Sequence, residues 1–182
     1  MPDNSWTLLR SRYVADYRVI RLREDHYRFA PTQAESDFIV CESADWVLVI
    51  PITADGNVAF VRQYRHGLRC VVLEIPGGLM EPGESPDMAA GRELREETGF
   101  AAERLRHLAR LMPNPALNAA FCHIVVAEGC YPAGDQAPDP LERIEVCLRP
   151  LKEVPAMIRR GELSHALILA AFACFGRIEL DR

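Results

Sequence analysis

The 182-residue sequence lacks the marks of several large classes of protein. It has no excess of positive charge: 21 Lys and Arg stand against 26 Asp and Glu, a formal net charge of -5. No broad basic field is therefore present to hold a nucleic-acid backbone or an anionic membrane, and any polyanionic ligand must be held locally. No CxxC pair occurs among Cys41, Cys70, Cys122, Cys130, Cys147 and Cys174, which sit mostly among apolar neighbours, as reduced core thiols do. No apolar run approaches the roughly 20 residues that span a bilayer; the most apolar late stretch, Ala166 to Phe175, reads as a packed helix. The start, Met1-Pro2-Asp3-Asn4-Ser5, has no basic segment followed by an apolar one, so no secretory signal is read and a cytoplasmic location is expected. Neither a Gly-x-Ser-x-Gly elbow nor a repeat or low-complexity tract occurs, and His26, His66, His107, His123 and His165 are too scattered to suggest a zinc triad.

What is present is ordinary globular material, 49% hydrophobic and 26% charged, enough for one domain with its own core. Residues 1–45 mix short apolar and polar segments that predict two or more small strands, an N-terminal element suited to dimerisation ahead of a main domain over 46–182. From Trp46 to Ile52 the run is apolar and β-branched, Asp55-Gly56 gives a hairpin turn, and Val58 to Tyr64 returns. A third strand, Cys70 to Ile75, runs into Pro76-Gly77-Gly78. Ser85 suits a helix N-cap, Pro86 the first helical position and Gly99 the left-handed residue that closes a helix, so the spacing predicts a helix over 87–98. Beyond it lie strands over 105–112, 121–127 and 144–148, a proline-rich turn at 113–115, a surface loop over 131–141 and helices near 154–160 and 164–175.

On the central helix Glu93, Glu96 and Glu97 are spaced i, i+3 and i+4 and share one face. Like charges so placed cost roughly 0.2 to 0.5 kcal/mol per pair. A solvated face paired to Arg92 and Arg95 is one reading. A hard cation such as magnesium, taking one or two carboxylates together with substrate phosphate oxygens, is the other. The preceding loop favours the second, because Gly77-Gly78 lets main-chain carbonyls approach closely and Glu84 stands just before the helix.

The segment from Gly78 to Phe100, GLMEPGESPDMAAGRELREETGF, resembles the Nudix box at every fixed position: Gly, five residues, Glu, seven residues, then Arg-Glu-aliphatic-x-Glu-Glu-x-Gly-hydrophobic. The likeness covers roughly residues 46–175. It implies the α+β Nudix fold, an α/β/α sandwich with a mixed sheet and a loop-helix-loop motif. It also implies hydrolysis of a diphosphate bond with Mg2+, or alternatively Mn2+, held by Glu93, Glu96, Glu97 and the main-chain oxygen of Gly77. Arg92 would be structural, and Glu84 would complete the metal shell, brace the loop or face the helix N-terminus. Diphosphate cleavage needs no covalent intermediate, since metal ions stabilise phosphoryl charge while a bound water attacks in line.

Within that superfamily the chain looks most like the ADP-ribose pyrophosphatase branch, through Arg62-Gln63-Tyr64-Arg65 ahead of Glu74-Ile75-Pro76-Gly77-Gly78. The resemblance implies substrate contacts from Arg62, Tyr64, Arg65 and Glu74: an arginine can bind a diphosphate bidentately and a tyrosine can stack on a base, the plain alternative being a basic strand end with a packed tyrosine. Pro115, fifteen residues beyond Phe100, matches a marker of ADP-ribose hydrolysis, although Pro113-Asn114-Pro115-Ala116 departs from the Ser-Pro-Gly common there, and Asn118 stands where diadenosine-polyphosphate enzymes often have tyrosine. The branch also implies a catalytic loop glutamate, Glu142 first and Glu145 second, acting with Glu96 and Glu97. The expected partner is a small nucleotide, with neither nucleic acid nor membrane involved, in a homodimer. Other readings are a hydrolase of GDP-mannose, a dinucleotide or a coenzyme, and a nucleotide-sensing module without turnover.

Overall fold

The computed structural model describes residues 4–180, with side chains to Gly176; Met1-Pro2-Asp3, read above for a signal, lies outside the described residues. Contacts divide the chain into two units. The smaller ends at Ala44 and also takes in Met112–Phe121; the larger holds Asp45–Leu111 and the residues from Cys122 onward.

In the smaller unit β1 (Trp6–Asp16), β2 (Arg21–Phe29) and β3 (Ala34–Glu42) form an antiparallel meander, with Trp6 opposite Phe29 and Arg21 opposite Glu42. The strands are longer than the small ones expected. Trp6, Tyr27, Phe29 and Phe38 gather on one face, with Trp6 4.6 Å from Phe29 and edge-on to Phe38 at 5.7 Å, yet Trp6 and Phe38 each remain 43% exposed. Asp25 is buried and satisfied by Ser11 at 2.6 Å and Arg23 at 2.9 Å. The segment around Pro115 groups with this unit by its contacts: Cys41 donates to the Leu117 carbonyl at 2.7 Å and accepts from Ala119 at 3.1 Å.

The larger unit is built on an eight-stranded mixed sheet. Its central path runs β11 (Ile144–Pro150), β5 (Asn57–Arg65), β4 (Trp46–Thr53), β10 (Cys122–Pro132), β8 (Phe100–Ala101), with β6 (Cys70–Glu74), β7 (Gly77–Leu79) and β9 (Arg104–Leu111) pairing β5, β4 and β10. β4 and β10 are parallel, Leu48 facing Ile124, and the other pairs are antiparallel. Alternation along these strands sorts two cores. Leu48, Ile50, Val58, Phe60, Ile124 and Val126 pack against Ile168, Ala171 and Phe172 of α3 (Ala166–Leu180) and Met157 of α2 (Val154–Arg159). Val47, Val49, Val125 and Ala127 pack against Ala89, Ala90 and Leu94 of α1 (Pro86–Thr98). Helices thus cover both faces, the α/β/α sandwich expected. Each fully buried aliphatic side chain contributes about 1.5–3 kcal/mol.

Among the described residues no helix is long and apolar enough to cross a membrane. The six cysteines are free, and burial pushes the Cys122 thiol up to about 12 and that of Cys130 up to about 11, while Cys70 is exposed on its strand.

Candidate active site

α1 begins and ends where its punctuation dictates. The Ser85 hydroxyl accepts from the Met88 N–H at 3.2 Å, Pro86 opens the first turn, and Gly99 closes the helix at φ 72° with its N–H on the Arg95 carbonyl at 2.8 Å. Between these ends the helix lays Ala89, Ala90 and Leu94 on the sheet, which carries Glu93 and Glu97 inward and leaves Glu96 half-buried.

β7 meets this helix edge-on, and its two glycines allow the approach. A Cβ on Gly77 would lie 2.2 Å from the Val47 carbonyl oxygen, and one on Gly78 would lie 2.4 Å from Glu93 Oε1. Because the obstacle at Gly77 is backbone, Gly77→Ala must shift the pairing of β7 with β4. We expect a loss of about 1–3 kcal/mol, read as a lower urea midpoint with an unchanged slope.

The carboxylates are sorted by what holds them. Arg92 gathers three: Glu84 at 2.9 and 3.0 Å, Glu93 at 2.7 Å and Glu96 at 3.1 Å, and it also donates to the Leu79 carbonyl at 2.9 Å. Its guanidinium pKa is raised, chiefly by Glu84, and Glu84 is held below its ordinary value chiefly by Arg92. Glu97 has no such partner. It accepts the Gly77 N–H at 3.2 Å, and burial, followed by repulsion from Glu93 and Glu142, pushes its carboxyl up to about 8. Glu93 is raised too, by burial first, with Arg92 opposing. Among the described residues no three acidic, histidine or cysteine side chains converge as a ready-made metal cluster, since Arg92 draws Glu93 and Glu96 to itself.

Across from the helix, Arg65 at the end of β5 is clamped by the buried Glu74, Nε to Oε1 at 2.9 Å and Nη2 to Oε2 at 2.5 Å. Its pKa is raised first by Glu74, and the charges of Glu97 and Glu142 add to the effect. Gln63, buried two residues earlier on the same face, donates to Glu142 Oε1 at 3.1 Å. The loop that brings Glu142 is tied to α1: Gln136 donates to the Glu97 carbonyl and, at 3.4 Å, to that of Ile144, and the Ala137 N–H donates to the Glu96 carbonyl at 2.9 Å.

Alternation places Arg62 and Tyr64 on the α3 face with Phe60, opposite Gln63 and Arg65, and both are exposed. Glu145 sits directly across from Arg62 on β11, 3.5 Å from its guanidinium, so it shares that face. Pro115 is an exposed turn residue of the smaller unit.

A family model for the NUDIX domain matches residues 43–172. The chain belongs to the Nudix family. It is similar to the methanol dehydrogenase activator of Bacillus methanolicus, 33% identical over 66% of this chain and 65% of that one. It is similar also to the ADP-ribose pyrophosphatase of Mycobacterium tuberculosis, 27% identical over 93% of this chain and 83% of that one. The crystal structure of an ADP compounds hydrolase superposes with a TM-score of 0.85 at 26% identity, over 97% of this chain and 95% of that one. The chain spans less than two thirds of several curated relatives, with matches from Bacillus subtilis and Escherichia coli reaching 44% and 61% of their lengths.

In Nudix terms, the box helix and its glycine strand come together with Arg65, Glu74 and Glu142, whereas Arg62, Tyr64 and Glu145 lie on the opposite face of the sheet. Sequence reasoning missed Gln63 and Gln136. Gln63 carried a signal, a polar residue at an inward position of an otherwise apolar strand; Gln136, in an irregular loop, carried none.

Proposed function

We propose that this chain is a Nudix hydrolase that cleaves the diphosphate bond of a nucleoside diphosphate sugar, ADP-ribose foremost, giving AMP and ribose 5-phosphate. Mg2+ would be held by Glu93, Glu96, Glu97 and the main-chain oxygen of Gly77, with Mn2+ able to replace it. The observation that carries the reading is Glu97: a buried carboxylate pushed up to about 8 beside Glu93 and Glu142 is a concentration of negative charge in want of a cation. The donor set of carboxylate and carbonyl oxygens fits a hard cation. When bound, the ion supplies charge neutralisation at the phosphoryl oxygens and a more acidic water.

The chain's own residues supply the rest. Arg65, with Nε and Nη2 fixed on Glu74, presents Nη1 to a phosphoryl oxygen in a set orientation. Glu142, oriented by Gln63, takes the proton of the attacking water. Arg92 holds Glu93 and Glu96 in place between turnovers. Arg62 and Tyr64, on the other face, serve the sugar or base only if the ligand reaches the sheet edge there. The chain acts in the cytoplasm as a homodimer; the exposure of Trp6 and Phe38, each 43%, on the β1–β3 sheet supports the dimer.

Hydrolysis of ADP-ribose, GDP-mannose, NADH, diadenosine polyphosphates and coenzyme A with Mg2+, against an EDTA control, tests the proposal. The highest kcat/KM on ADP-ribose with AMP as product supports it, preference for another compound replaces the substrate, and no metal-dependent turnover of any rejects the reading in favour of a nucleotide sensor. Within the site, Glu142→Gln should lower kcat by about 10²-fold or more, as loss of a general base does, and Glu145→Gln by less than about threefold. Equal losses would remove Glu142 from its role.

A further inference from the structure

The five histidines are scattered in sequence, but the fold brings two of them together away from the box carboxylates. On β9 and β10 the pairing shifts between Ile124, opposite Ala109, and Val125, opposite His107, so that one extra residue of β9 is accommodated. This shift sets His107 beside His123 on the α1 face of the sheet, with Nε2 of the first 3.0 Å from Nδ1 of the second. His123 is buried at 8% exposure, and its Nε2 lies 3.3 Å from Asp45 Oδ2; His107 is exposed. We propose that His107 Nε2 and His123 Nδ1 form a two-histidine chelate for a borderline divalent ion of the zinc, nickel or copper kind, with Asp45 orienting His123.

A neutral imidazole carries a single N–H. Asp45, an acceptor only, takes that of His123 at Nε2, which leaves a lone pair on Nδ1. Nε2 of His107 is hydrogen-bonded to that Nδ1, so in the neutral pair the N–H of His107 lies between the two nitrogens. An ion bound beside the pair would displace that one proton to solvent and take the lone pairs of both nitrogens, which stand 3.0 Å apart. Two nitrogens each about 2.0–2.1 Å from one ion stand about 3 Å apart when they meet at a right angle. Imidazole suits zinc, nickel and copper, whereas the oxygen donors of the box suit magnesium. The carboxylate–histidine pair is the arrangement that fixes tautomer and ring orientation at metal sites. Neighbouring charges act in both directions: Arg110 lies 3.6 Å from Asp45 and shares its charge, and Asp87 on α1 favours positive charge at His107. Solvent reaches the ion through the exposed His107 and completes its shell.

The test is calorimetric titration of the full chain with Zn2+ in excess Mg2+, so that the carboxylates of the box are occupied. Tight uptake at a stoichiometry of one is expected. His107→Gln, a change at an exposed position that leaves the core intact, should weaken it by about tenfold or more, and Asp45→Asn by about tenfold at unchanged stoichiometry. Glu97→Gln should leave Zn2+ affinity unaltered. Cu2+ bound in place of Zn2+ should show two-nitrogen superhyperfine splitting, reduced in His107→Gln. Absent uptake, unchanged affinity in His107→Gln, or loss in Glu97→Gln instead would overturn the proposal. Because the readout is binding, none of these outcomes bears on hydrolysis.

Discussion

Glu97→Gln should lower turnover of the preferred diphosphate by about two orders of magnitude or more while leaving the fold intact. Glutamine keeps the shape and an oxygen to accept the Gly77 N–H, so what is removed is charge at a box carboxylate that Arg92 does not hold and that feels Arg65 only at a distance. The same variant has a second signature, in stability. In the folded, metal-free protein the Glu97 pKa rises from its ordinary 4.5 to about 8, so folding favours the protonated form. The contribution is therefore fully present below about 4.5 and is lost as pH rises to about 8 and beyond. Metal-free wild type should lose Tm over that window, Glu97→Gln should lose less, and Mg2+ should restore wild type more at the alkaline end than at the acid end. A variant that is slow but carries the same pH slope as wild type would mean that Glu97 is not the strained carboxylate.

Arg92→Ala should be the most destabilising single change on α1, by about 3 kcal/mol or more. Its guanidinium answers Glu84, Glu93 and Glu96 and the Leu79 carbonyl, and the side chains of Glu84 and Glu93 are only 12% and 11% exposed. Truncation leaves those carboxylates close together and unpaired, which costs far more than the pair itself contributes. Arg92→Lys should recover only part of the loss, because one ammonium cannot span four acceptors with the fork geometry of arginine. Chemical denaturation of the metal-free proteins checks both variants; losses below about 1 kcal/mol for Arg92→Ala would show the network to be solvent-screened.

The larger unit was legible because its elements are written in local chemistry. Ser85, Pro86 and Gly99 mark α1 to within a residue, Asp55-Gly56 marks the β4–β5 turn, and unbroken apolar runs mark the central strands. The N-terminal strands were less so: their mixed residues, exposed on both faces of a thin sheet, carry weak alternation, and lengths of 11, 9 and 9 residues exceeded expectation. At the site, adjacency in sequence concealed opposition in space. Arg62-Gln63-Tyr64-Arg65 reads as one basic-aromatic motif, yet a strand sends its members to alternate faces, so Gln63 and Arg65 meet Glu142 and Glu74 while Arg62 meets Glu145. Glu74, expected among the substrate contacts, is in space the buried clamp of Arg65. Contacts such as Gln136 on the Glu97 carbonyl depend on where an irregular loop of the chain returns, which no periodicity records.

The most direct measurement strips the protein with EDTA and follows cleavage of its best diphosphate substrate as Mg2+ is returned, with wild type and Glu97→Gln side by side. A magnesium site built on Glu97 predicts no cleavage in EDTA, saturable recovery of wild type with Mg2+, and a Glu97→Gln rate lower by about a hundredfold or more at any Mg2+ concentration. Cleavage that persists in EDTA, or a Glu97→Gln protein that recovers as wild type does, would contradict it.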